Sequence, residues 1–270
     1  MMSLNKAHVF VIGNEKGGAG KTTCSMHLIA GLLANGKNVV SMDADSRQQS
    51  LTSYINNRIK YNNQNTQSPV LLPQHFVLQE SDYQNLSEKN KSEKDNFCKI
   101  FDQIKNSCDA VVIDTPGSYS NYSRLAHSHA DTIITPINDS FIDLDVIAKI
   151  THDKLDMSTP SIYSQMIWEQ KMERAARDGG SIEWFIMRNR LSNIDALNKR
   201  NVSDAVQKLA KRISFKIAPG FSERVIFREL FLSGLTLLDL NQTGFDRSFS
   251  LSHVAARQEL RDFLAAIGVK

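Results

Sequence analysis

Two lysines and two threonines stand in one glycine-rich run, Gly13-Asn14-Glu15-Lys16-Gly17-Gly18-Ala19-Gly20-Lys21-Thr22-Thr23. Glycines let a backbone wrap closely round an anion with its N–H groups turned inward, and a helix starting at the run adds the positive end of its dipole. Lys21 is placed to reach β- and γ-phosphates, and Thr22 offers a hydroxyl to a Mg²⁺ ion bridging phosphate oxygens. Such a loop needs a carboxylate partner. Asp114 supplies one at the end of the apolar run Ala110-Val111-Val112-Ile113, from where it can hold Mg²⁺ through a water. Residues 115–118 then form a loop able to sense a γ-phosphate. The plainer readings are a glycine turn without ligand and a buried structural Asp114, and the agreement of loop, flanking elements and carboxylate speaks against both.

The elements that must position these groups follow from periodicity. Residues 7–12 read as a buried strand feeding a helix at 22–35 closed by Gly36, and 38–42 as a second strand. Between 56 and 96 the chain turns polar and Asn-rich, with Pro69 and Pro73, which predicts a surface excursion holding one strand at 76–79. Helices are expected at 95–107, 142–150 and 198–212, and strands at 110–113, 132–136, 182–187 and 215–218. A closing helix at 251–267 has Val254, Leu260, Phe263, Leu264 and Ile267 fitted for packing. Strands alternating with helices predict an α/β fold, a doubly wound and mostly parallel sheet flanked by helices, in one domain over 1–270.

Composition narrows the classes further. With 41% hydrophobic and 23% charged residues in 270, the chain can bury a substantial core. The polar start and the short apolar run that follows predict neither a secretory nor a membrane-spanning segment, hence a cytoplasmic protein. Cys24, Cys98 and Cys108 lack paired spacing and read as reduced structural thiols. The seven histidines form no HExxH pattern, and the single HxH, His127-Ser128-His129, falls on a predicted helix, where both read as surface or packing residues. Net charge is only +3, yet residues 171–229 gather thirteen Lys/Arg against seven Asp/Glu, a basic excess available as a patch.

Lys16-Gly17-Gly18-Ala19-Gly20-Lys21-Thr22, with its second lysine at the start of the loop, resembles the deviant Walker A motif of the ParA/MinD superfamily. Met42-Asp43-Ala44-Asp45 looks like that family's DxD element. The resemblance implies a Mg-dependent ATPase that forms a sandwich homodimer with ATP. It further implies that Asp45 positions the attacking water, that Asp43 lies near the Mg²⁺ shell, and that Lys16 reaches the partner's phosphates as an arginine finger does. Within the superfamily, Gly13-Asn14-Glu15-Lys16, Arg47-Gln48, Ser123-Arg124-Leu125-Ala126-His127 and Pro136-Ile137-Asn138-Asp139-Ser140-Phe141 resemble the division-site positioning MipZ ATPases, as do Arg228-Glu229-Leu230-Phe231 and Gly234-Leu235-Thr236-Leu237-Leu238-Asp239. That likeness lapses over 56–96. It implies binding to nucleoid DNA and to the ParB centromere protein, and inhibition of FtsZ polymerisation.

Further residues acquire readings beside this one. On the 198–212 helix Val202, Ala205, Val206, Leu209 and Ile213 share one face, with Arg200, Lys208 and Lys211 opposite. A solvated charged face is the ordinary meaning of that pattern. The basic excess and the resemblance together make Lys199, Arg200, Lys208, Lys211 and Arg224 candidate partners for DNA phosphate, blind to sequence. Asn189, ending a strand at the carboxyl edge, is a candidate adenine contact or equally a turn residue. The last helix balances Arg257 and Arg261 against Glu259 and Asp262, which leaves no basic face for a membrane. Among alternatives are an iron–sulfur electron donor, disfavoured by the cysteine positions, and an ATP-dependent ligase on the same fold, while a ParA-type chromosome or plasmid partitioning ATPase shares the ATP and DNA chemistry.

Overall fold

Alternate residues of the first strand, β1 (His8–Ile12), bury on opposite sides: Val9 and Val11 join one apolar cluster, Phe10 and Ile12 another. This period of two, with both faces apolar, is what a central parallel strand requires. A computed structural model describes residues 6–151, 156–191, 196–240 and 251–269. After β1 come α1 (Lys21–Ala34), β2 (Val39–Asp43), α2 (Ser50–Gln64), β3 (Gln74–Val77), α3 (Leu86–Ile104), β4 (Ala110–Asp114), α4 (Asn121–His129) and β5 (Thr132–Asn138). The second half holds α5 (Phe141–Leu144), β6 (Ala148–Thr151), β7 (Asp156–Pro160), α6 (Ile162–Asp178), β8 (Glu183–Asn189), α7 (Ala196–Ile213), β9 (Lys216–Ala218), α8 (Ile226–Ser233) and α9 (Leu251–Ala266).

Seven strands form a parallel sheet in the order β3-β2-β4-β1-β5-β8-β9. The expected doubly wound fold is the one observed. α3, α4, α6 and α7 cover one face through Phe97, Leu125, Ile167 and Val206, and α1, α2, α8 and α9 cover the other through Leu28, Ile55, Leu230 and Phe263. The strand order reverses beside β1, between β4 and β5. In open α/β sheets, ligands sit at the carboxyl ends beside such a switch point.

Four sequence readings need correction. The expected 142–150 helix is only α5, followed by the antiparallel β6–β7 hairpin, where the β-branched Ile150 and Thr151 suit a strand. Helix α6 was not anticipated, although Ser161 caps its first turn and Gly179 closes it at φ 69°. The 56–96 stretch contributes the end of α2, the edge strand β3 and the start of α3, capped by Asn85. Its polarity reflects a sheet edge and one-sided helices. In α9, Ala256 is buried where Val254 was expected, and Val254 is exposed.

Candidate active site

The glycine-rich run turns between β1 and α1 with left-handed backbone at Gly18 (φ 74°) and Gly20 (φ 91°), conformations that favour glycine. No side chain caps the first turn of α1, so its N–H groups are directed to the loop, as anion binding requires. The loop is braced from both sides. Asn14 donates to Pro136 O (2.6 Å) and accepts from the Lys16 N–H (2.7 Å). Asn189, at the end of β8, donates to Ala19 O (2.9 Å), and a Cβ on Gly20 would fall 2.1 Å from its Nδ2. Thus the Asn189 amide holds the loop, a task the adenine reading did not foresee. It also lines a cavity of about 400 Å³ with Gly20, Thr23, Phe227 and Phe231, whose two aromatic rings offer a planar base an apolar contact.

Lys21 turns inward and donates to Lys16 O at 3.1 Å. Burial draws its pKa down, with Asp114 and Asp45 pulling the other way. Thr22 Oγ1 donates to Asp114 Oδ2 (2.7 Å), and Ser25 Oγ to Oδ1 (3.1 Å). Burial, then the Asp43 carboxylate beside it in the β2–β4 register, pushes the Asp114 pKa up to about 7. A buried carboxylate next to another gains from a cation. The donor set fits Mg²⁺: a hydroxyl and a carboxylate are hard oxygens, and Thr22 and Asp114 would hold the ion. Among the described residues no cluster of three or more His, Cys, Asp or Glu forms a metal cage, so phosphate oxygens and water would complete the shell. Bound there, the ion would neutralise phosphate charge.

Asp43, beside Asp114 in the register, also has partners within the protein. Its Oδ1 accepts the Asp45 N–H (3.0 Å), and its Oδ2 accepts both N–H and hydroxyl of Thr52 (2.9 and 2.8 Å). With both oxygens engaged by protein donors, Asp43 shapes the Asp45 turn. Asp45 in turn accepts the Gln48 N–H at 3.0 Å and faces a cavity of about 580 Å³ that also touches Pro116, Ser118 and Arg124. The loop after β4 reaches the phosphate loop at Gly117, where a Cβ would lie 3.2 Å from both Gly17 N and Lys21 Nζ.

Lys16 pairs with Asp143 of α5, a carboxylate almost wholly buried. Sequence reasoning missed Asp143, although it lies two residues after the Phe141 that ends the Pro136-Ile137-Asn138-Asp139-Ser140-Phe141 run. His127 is a packing residue: its Nδ1 meets Ser123 O (2.7 Å), its Nε2 meets the Tyr163 hydroxyl (3.2 Å), and Gly13 abuts its ring.

The DNA candidates on α7 lie apart from this site. α7 packs on the sheet face opposite α1, with Val202, Ala205, Val206, Leu209 and Ile213 buried and Lys208 and Lys211 exposed. Lys199 and Arg200 lie near its start, and their side chains fall outside those described. Arg224 belongs elsewhere. It forms a two-pronged ion pair with Glu259 of α9 and lines the base-sized cavity, so its charge is already matched.

The family model for the ATPase MipZ matches residues 8–270. The chain is 27% identical over 161 residues to the septum site-determining protein MinD of Helicobacter pylori, covering 55% of this chain and 60% of that one. The two curated relatives it matches are spanned over only 60% and 41% of their length. Among solved structures, an ATP complex of McdA from Cyanothece superposes with a TM-score of 0.66 at 18% identity, covering 98% of each chain. MinD of Pyrococcus horikoshii with Mg-ADP gives 0.58 at 16%, covering 97% of this chain and 98% of that one. At those identities the two structures share the fold with this chain.

Proposed function

Because this chain belongs to the MipZ family of ParA/MinD-type P-loop ATPases, we propose that it is a Mg-dependent ATPase whose hydrolysis times the life of an ATP-bound homodimer. The observation that carries the reading is the division of labour between two lysines on one loop. Lys21, half-buried, folds back into the loop, where it would hold its own β- and γ-phosphates, whereas Lys16 reaches away from the loop to Asp143 of α5. An outward cation is free to serve a facing nucleotide once that pair opens. Asp45, anchored by Asp43, would orient the water, and Thr22 with Asp114 the metal.

In this reading 1–270 is one ATPase domain, cytoplasmic and nucleoid-associated. The dimer binds DNA without sequence preference, docks a ParB-like centromere protein and restrains FtsZ assembly, thereby positioning division. Size-exclusion chromatography with and without Mg-ATP, phosphate release, and FtsZ sedimentation test it in turn. ATP-dependent dimers that hydrolyse ATP and lower the FtsZ pellet are expected. Dimers that bind DNA yet leave FtsZ untouched would favour a partitioning ATPase, and a chain monomeric with ATP would overturn the switch.

A further inference from the structure

The edge strand β3 carries a histidine that touches no part of the phosphate loop but ends a hydrogen-bonded chain running into the Asp45 turn. His75 is register partner to Ser41 of β2. Its Nδ1 lies 2.8 Å from Ser41 Oγ and its Nε2 3.0 Å from Thr52 Oγ1. Thr52, in the first turn of α2, gives both N–H and hydroxyl to Asp43 Oδ2, and Asp43 Oδ1 receives the Asp45 N–H.

Counting protons fixes the direction of every bond. An ionised carboxylate only accepts, so the single hydroxyl proton of Thr52 goes to Asp43. Thr52 Oγ1 can then meet the ring only as acceptor, which puts the ring proton on Nε2 and leaves Nδ1 to accept from Ser41. The chain therefore reads Ser41 to His75 to Thr52 to Asp43, with the Asp45 N–H arriving from the other side. Burial lowers the His75 pKa to about 4, in keeping with a neutral ring. Each member limits the rotation of the next. Without the ring's N–H, the Thr52 hydroxyl has no second partner fixing its oxygen, and Asp43 can swing its carboxylate off the Asp45 backbone.

We propose that His75 is a positioning residue for hydrolysis, fixing through Thr52 and Asp43 the backbone that carries the Asp45 carboxylate. This rests on the role given to Asp45 above. It also assigns a task to the edge strand: β3 braces the hydrolytic turn without touching nucleotide.

The test separates kcat from ATP affinity in the full chain. His75→Phe should keep the Kd for ATP within about twofold and lower kcat about tenfold, the scale of one missing hydrogen bond. Thr52→Val should do the same, and the double variant should lose little more, since both cut one chain. His75→Gln, whose amide N–H can reach Thr52, should recover kcat to within about threefold, whereas the shorter His75→Asn should not. Unchanged kcat in folded His75→Phe, or equal kcat in the Gln and Asn variants, would overturn the proposal. If His75→Phe fails to fold, the Gln against Asn comparison decides. Failure of the underlying reading is told apart by two controls: wild type that hydrolyses no ATP, or Asp45→Ala that hydrolyses normally. In that event ¹⁵N resonances of the histidine ring still judge the chain, an Nε2–H tautomer supporting it and an Nδ1–H tautomer refuting it.

Discussion

Lys16 is held by Asp143 of its own chain, so the outer lysine of the phosphate loop is tethered to the first turn of α5. The lysine side chain is 39% exposed and the aspartate 7%, which makes the pair half solvated and weak, on the order of 1 kcal/mol. Reaching a facing nucleotide requires breaking it in both subunits. Asp143→Asn should therefore raise the ATP-dependent dimerisation constant by roughly thirtyfold, the equivalent of about 2 kcal/mol. Sedimentation at graded protein concentration with ATP reads this directly, and an unchanged constant would show that the tether does not oppose dimerisation.

Asp45→Ala should bind ATP and accumulate as a dimer, since the loop residues stay in place while the water-orienting carboxylate is gone. It also loses the acceptor of the Gln48 N–H in the turn before α2, an exposed bond worth at most about 1 kcal/mol of stability. Lys21→Ala should lose nucleotide affinity outright. Mixing Asp45→Ala with Lys16→Ala should restore hydrolysis absent from either alone, because one composite site then holds both a trans lysine and an aspartate. Heterodimers that remain inactive would reject action in trans.

What could be read from sequence was what is local. The glycine spacing, Lys21 and Thr22 occupy ten consecutive residues, and a carboxylate at the end of an apolar run announces a strand end. The unread part is long-range. Arg58 pairs with Asp239 across 181 positions, and His75 meets Thr52 only because β3 lies at the edge beside β2. A polar stretch looks like a loop when its few apolar residues face one side, which is why 56–96 hid a strand and two helix ends. Arg224 shows the converse limit: charge counting cannot see that Glu259 is paired with it.

Stability should fall as pH drops from about 6.5 toward 4. His27, His75, His127 and His129 are held near pKa 4 by burial against 6.5 when free, so the unfolded chain takes up protons first. At pH 5 each contributes a loss of about 1–2 kcal/mol relative to pH 7.5. Asp114, raised to about 7, acts in the opposite sense, since its folded form binds the proton first, as do Asp43 and Glu15, also raised by burial; the four histidines, joined by His8, outnumber them. Urea midpoints at pH 7.5 and 5 test the sign, and His127→Asn should flatten the slope.

Arg58 is buried with its guanidinium forked onto Asp239 (2.7 and 2.8 Å) and bonded to Leu71 O and Gly234 O. It ties α2 to the turn after α8. Arg58→Ala strands a buried carboxylate and several carbonyls, and should cost about 3–5 kcal/mol. In a chain of this size that is a Tm lower by roughly 10 °C, which scanning calorimetry would resolve. A shift under 2 °C would mean that water replaces the guanidinium without penalty.

DNA affinity, if it resides on α7, should depend on Lys208 and Lys211 and not on Arg224. The two lysines are exposed on the outer face of a helix whose other face is locked into the core, so replacing them removes charge without disturbing packing. Removing one lysine–phosphate ion pair should reduce the slope of log affinity against log salt by about 0.9, and each lysine replaced should count twice when two subunits bind together. Doubling the patch also makes binding steeply ATP-dependent, because a monomer offers one weak face where the dimer offers two at once. Arg224→Ala should leave that salt slope unaltered while loosening α9 through the abandoned Glu259 carboxylate. Fluorescence anisotropy on a short duplex, with and without ATP and across a salt series, separates these outcomes: a slope lowered by Arg224→Ala but not by the lysine variants would move the DNA face from α7 to the mouth of the nucleotide cavity.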